Sequence, residues 1–157
     1  MVPSGPVPDL LRYDEDKGFS LMDDAATVNA VVRRVGAERL RATRFGEWSA
    51  VELLGHLTDV AEVFVERVRR SLEEDMPTLE PIPEGTLGDA RRDPVDLSKR
   101  LLRAHQRIVA YLQQPGAADR PAIHGEWGRV NAGHIAAYLA DHSKAHVAEL
   151  AVAFPPA

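Results

Sequence analysis

Apolar residues recur along this chain at the three- and four-residue spacing of helices, and no stretch alternates convincingly with the two-residue period of a strand. Val28, Val31, Val32 and Val35 mark a first helix from about residue 21 to about residue 42, with a break near Gly36. The second has the clearest start. Ser49 and Glu52 form a capping box, in which the serine oxygen takes a free backbone N–H and the glutamate returns to the cap N–H. Its buried stripe is Leu53, His56, Val60, Val63 and Arg67. With His56 at the origin of a helical wheel, Val60 lies about 40° to one side and Val63 about 20° to the other, so the histidine faces the core.

Asp93 as N-cap, Pro94 at the first helical position and Asp96 near the positive end of the peptide dipoles open a third helix. Leu97, Leu101, His105, Ile108 and Leu112 form its stripe, and Pro115-Gly116 stops it. A fourth runs from Val130 or Asn131 to about Val152, with Ile135, Tyr138, Leu139, His142, His146 and Ala153 on one arc and Lys144 turned away. Four amphipathic helices bury their faces most simply in an all-α bundle. Residues 1–20, punctuated by Pro3, Pro6, Pro8 and Gly18, read as an irregular lead-in, and residues 21–154 as the bundle domain. Residues 75–92 hold Pro77, Pro81, Pro83, Gly85 and Gly88 and read as a long connection rather than a strand or helix.

An internal echo runs through the chain. Gly46-Glu47-Trp48 precedes Gly55-His56, and Gly125-Glu126-Trp127 precedes Gly133-His134, fitting a pseudo-repeated pair of helices. Tryptophan and histidine are eight residues apart in the first copy and seven in the second, which rotates the second histidine off the equivalent face.

A chain of 157 residues fits one domain and can bury roughly two thirds of the surface its unfolded form exposes. Its 24 acidic and 19 basic residues give a net charge of -5, no electrostatic reason to expect a nucleic-acid partner. The short basic clusters, Arg33-Arg34 and Arg67 with Arg69-Arg70, are mixed with acids and read as solvated helix faces. No apolar run approaches the roughly 20 residues that cross a bilayer, and the N-terminus lacks a secretory pattern, so neither a membrane partner nor export is expected and a cytoplasmic location is the default.

The absence of cysteine removes disulfides and thiolate ligands, so a transition-metal site must use histidine, carboxylate or water. His142 and His146, spaced i and i+4, present both rings on one side of the fourth helix, where they can grip a single ion. His56, on the core face of the second helix, can complete the set. Three protein nitrogens leave coordination positions open, as catalytic metal sites do. Zinc ranks first among divalent metals because imidazole suits its borderline softness, followed by nickel and iron. Asp59 is the candidate catalytic carboxylate, either ordering an imidazole or accepting a proton from bound water. Taken alone, His56 also reads as a core or interface histidine hydrogen-bonded to a carboxylate, the i, i+4 pair is a common pattern, and Asp59 reads as a solvated helix residue. His134 is placed at the cavity mouth or the bundle interface, His105 in the third core stripe and His124 in a loop.

The tryptophan followed by Glu52, the Gly55-His56-Leu57 segment, Asp59 and the terminal His142-Ser143-Lys144-Ala145-His146 resemble the DinB/YfiT-type family of metal-dependent helical proteins, over nearly the whole chain. The resemblance implies a four-helix bundle, and its usual metal histidines map to His56, His142 and His146. With the long 75–92 crossover between helices two and three, it implies up-down-down-up connectivity instead of a simple meander. Some relatives are thiol-dependent transferases or isomerases, and a homodimer is implied as well. The function expected is a divalent-metal-dependent hydrolase or a small-thiol-dependent transferase acting on a small molecule. The alternative is a non-enzymatic protein that stores a metal or recognises a small ligand in the same cavity.

Overall fold

A computed structural model describes residues 10–80 and 91–156 of the chain. Residues 1–9 of the expected lead-in and 81–90 of the expected long connection lie outside the described residues. The long helices are α1 (Glu15–Val35), α3 (Ala50–Glu73), α4 (Pro94–Leu112) and α5 (Ala132–Ala153), with a short α2 (Ala37–Ala42) between the first two. Together they form an all-α four-helix bundle. Leu21, Val28, Leu53, Leu57, Phe64, Leu97, Leu101, Ile108, Ile135 and Leu139 meet in one core.

Contacts between helices fix their directions. Lys17 pairs with Asp141, and Arg34 donates to the Phe154 carbonyl just past α5, so α1 and α5 run parallel. The Thr58 hydroxyl reaches the Leu97 carbonyl and Glu62 binds Arg100, so α3 and α4 also run parallel. His105 meets the Leu21 carbonyl while Val109 lies beside Gly18, which sets α4 antiparallel to α1. His56 meets His142 while Phe64 stacks on Tyr138, which sets α3 antiparallel to α5. The order is up-down-down-up. A parallel step from α3 to α4 obliges the chain to travel back along the bundle, a distance of roughly 28 Å for a helix the length of α4.

Local chemistry explains the helix ends. Asp14 caps α1 by accepting the Lys17 N–H, with Glu15 and Asp16 in the first turn favouring the positive dipole end. The first helix thus starts about six residues before the apolar pattern becomes visible. Gly18, which reads as a breaker, lies inside it, and a Cβ there would come within 2.7 Å of the Tyr13 hydroxyl. Gly36 breaks α1 from α2 with φ at 84°, a conformation costly for residues with a Cβ. The Ser49–Glu52 capping box forms at α3, and Asp93 with Pro94 opens α4.

The reading without strands requires correction. Hairpin β1 (Arg44–Phe45) with β2 (Trp48–Ser49) precedes α3, and hairpin β4 (Pro121–His124) with β5 (Gly128–Asn131) precedes α5. Within the connection, β3 (Thr78–Leu79) joins β4 in parallel, Leu79 opposite His124. These strands are two to four residues long, too short to show an alternating pattern. His124, expected in a loop, is buried on β4. Arg67 follows the core stripe and not the solvated face, being 6% exposed, while Arg69 and Arg70 do pair with surface glutamates. Tyr138, on the expected core arc, is 39% exposed.

The Gly-Glu-Trp echo marks two matching halves. Each Gly-Glu pair sits at a hairpin bend, and each following helix returns its first N–H to the residue before the hairpin: Ala50 to Thr43 and Ala132 to Arg120, both at 2.9 Å. Ser49 and Asn131 are the corresponding N-caps. Counted from those caps, His56 matches Tyr138, whereas His134 matches Glu52.

Candidate metal centre

The antiparallel packing of α3 on α5 brings His56 to the i, i+4 pair His142 and His146. One ligand nitrogen from each ring lies within 4.8 Å of the others. The His56 and His142 Nε2 atoms are 3.3 Å apart. Two nitrogens bound to one tetrahedral zinc at about 2.0–2.1 Å would be separated by roughly 3.3–3.4 Å, so this edge already has the size a shared ion needs. The ring centroids of His142 and His146 are 4.6 Å apart and those of His56 and His146 are 5.4 Å apart.

The protonation chemistry suits ligation. Burial first, then the neighbouring His146 and His56 rings, pushes His142 down to about 4. Burial and His146 lower His56 as well, against an opposing pull from the Asp59 carboxylate. Neutral imidazoles keep the lone pairs a cation requires. The buried Nδ1 atoms of His142 and His146 have no hydrogen-bond partner among the described residues. Glu149 places a carboxylate oxygen 3.4 Å from His146 Nδ1, close enough to bias that ring's orientation without hydrogen-bond geometry.

Around the histidines, Trp48 packs its indole against His56 at 4.8 Å between centroids, with the two rings tilted by 45°. The hairpin ending at Ser49 fixes that indole immediately before the cap of α3. Asp59 sits one turn beyond His56, but both of its oxygens accept from Arg92, at 2.9 and 3.1 Å. That partner escapes sequence reading because it comes from the far end of the crossover. Asp24 of α1 is another residue missed by periodicity. Burial pushes its carboxyl up to about 6, opposed by the adjoining Ser143 hydroxyl. Glu52 is taken by the cap of α3, as its spacing from Ser49 predicts. His105 donates its Nδ1–H to the Leu21 carbonyl inside the core, and neither His134 nor His124 joins the three-histidine group.

The family profile of the DinB superfamily matches residues 22–150. The chain belongs to the DinB superfamily. Among solved structures, this DinB-superfamily chain is similar to YfiT from Bacillus subtilis, described as a probable metal-dependent hydrolase with an unusual four-helix bundle topology. The similarity covers 97% of this chain and 95% of that one, with 22% identity and a TM-score of 0.72, and it establishes the shared fold. No curated protein matches the chain. None of the described helices is long and apolar enough to cross a membrane.

Proposed function

We propose that His56, His142 and His146 hold a divalent cation, zinc in the first place, and that the protein is a metal-dependent hydrolase of a small molecule. The observation that carries this reading is the 3.3 Å approach of two neutral imidazole nitrogens with the third ring beside them. When bound, such a cation supplies Lewis acidity and lowers the proton affinity of water or a thiol. Three ligands from the chain leave room for that reactant. The description of YfiT as a probable metal-dependent hydrolase supports the same chemistry.

The remaining residues position and shield. Trp48 packs against His56 at a tilt and helps hold that ring in its orientation. Asp59, locked by Arg92, acts on His56 through its charge, and we assign it a positioning role next to the reacting group. Because the chain has no cysteine, thiol transfer would require a small exogenous thiol.

A panel of small esters and amides, and of electrophiles with and without low-molecular-weight thiols, tests the reading on metal-loaded wild type, metal-stripped protein and His56→Ala. Turnover of an ester or amide only in the first sample supports the hydrolase. Turnover that depends on added thiol moves the assignment to a transferase. Tight ligand binding without turnover in fully loaded protein makes the site one for storage or sensing.

A further inference from the structure

Beyond the three-histidine cluster, toward the C-terminal end of α3, lies a second group of buried polar side chains. Arg67 shares the His56 face of α3 and is 6% exposed. It donates to the Glu80 carbonyl and lies over the Phe64 ring at 5.2 Å, yet no carboxylate among the described residues forms an ion pair with it. Exposed Glu126 acts on it only at a distance. A buried guanidinium without a counter-charge is costly to fold around.

His124 stands against it, 7% exposed. Its Nδ1 accepts the backbone N–H groups of Glu126 and Trp127, at 3.1 and 3.3 Å, so the neutral ring carries its proton on Nε2. That Nε2–H is 3.5 Å from Arg67 Nη1. Two donors therefore face each other with no acceptor between them. His134, 3% exposed, repeats the pattern: Nδ1 accepts the Leu11 N–H at 2.8 Å, which leaves an Nε2–H without a partner among the described residues. Trp127 packs against both rings, with centroids 4.0 Å from His124 and 4.9 Å from His134.

The parallel pairing of β3 with β4 assembles this corner by bringing Leu79 beside His124 and the Glu80 carbonyl to Arg67. A cleft of about 580 Å³, lined in part by Val63, Arg67, Arg70 and Glu80, opens onto the guanidinium. Of the four carboxylates on the same cleft, three are already held, Asp59 by Arg92, Glu62 by Arg100 and Glu66 by Arg69, and the fourth, Glu80, is exposed and gives its backbone carbonyl to Arg67.

We propose that Arg67 and His124, with His134 beside them, form a binding site for the oxyanion group of a small-molecule ligand, a carboxylate or a phosphate. An oxyanion supplies the acceptors that these N–H groups lack and the counter-charge that Arg67 lacks. The planar guanidinium suits such a group better than a neutral carbonyl. The site uses no residue of the three-histidine cluster and stands whether or not that cluster binds metal.

The ¹⁵N-labelled full chain, titrated at constant ionic strength with sodium phosphate and separately with sodium acetate against a chloride baseline, tests this by the ring nitrogens of His124 and His134 and the indole of Trp127. Saturable shifts are expected at His124 and Trp127 with at least one anion, and the tighter salt identifies the oxyanion class. Arg67→Met is expected to weaken that binding at least about tenfold. His142→Ala is expected to bind as wild type does. Absence of saturable shifts with both salts overturns the proposal, as does undiminished binding in Arg67→Met. If Arg67→Met does not fold, Arg67→Lys keeps the charge and loses the fork; weakened binding then supports the site and unchanged binding overturns it.

Discussion

Asp59 gives both carboxylate oxygens to Arg92, and this pair ties α3, one turn beyond His56, to the residue just ahead of the α4 N-cap. A carboxylate so engaged is a better fixed charge than a free base. Asp59→Asn is therefore expected to lower the His56 proton affinity further in metal-free protein, since Asp59 is the group that raises it. With substrate in hand, the loss of turnover should stay within about tenfold, where removal of a general base typically costs roughly 10²–10⁴. A loss in that larger range would make Asp59 a proton-transfer residue.

The capping box gives a stability prediction. Ser49→Ala removes the acceptor for the Glu52 N–H, seven residues before His56 on the same helix. The expected cost is about 1 kcal/mol, read from chemical denaturation, with Ser49→Asp largely preserving stability. No measurable change in Ser49→Ala would show that packing alone holds the start of α3.

Acid sensitivity follows from buried groups with opposite signs. Burial lowers His105 from 6.5 to about 4. Below pH 6.5 the unfolded chain takes up this proton and the native one does not, so the contribution is intact above that pH and is lost as pH falls toward 4, on the order of 3 kcal/mol. Asp24, raised to about 6, behaves inversely: its contribution is present below 3.8 and is lost as pH rises through 6. Urea denaturation at pH 7 and near 4.5 should show a smaller acid loss in His105→Asn than in wild type. Asp24→Asn should be the more stable protein at pH 7, with the advantage gone below pH 4. The reverse order in either pair would contradict these assignments.

Legibility in the sequence followed the range of the interactions involved. The Ser49–Glu52 box, the Asp93-Pro94 start and the His142–His146 pair depend on neighbours three or four residues apart, and each was readable. His56 was readable as a core-facing residue through Val60 and Val63, although only antiparallel packing of α3 on α5 could show what it meets. The early start of α1 was hidden because its first turns hold Asp14, Glu15, Asp16, Lys17 and Gly18 instead of an apolar stripe. Short strands and the burial of His124 were hidden for another reason: β3 meets β4 across a large sequence separation, and no local pattern records that pairing. Arg92 as the partner of Asp59 was lost in the same way.

The most direct test is metal stoichiometry in protein purified without added metal or chelator, measured by elemental analysis for wild type, His142→Ala and His134→Ala. The three-histidine account predicts one divalent ion per chain in wild type and in His134→Ala, and almost none in folded His142→Ala. Stoichiometric metal retained by folded His142→Ala, or an active wild type without metal, would contradict it.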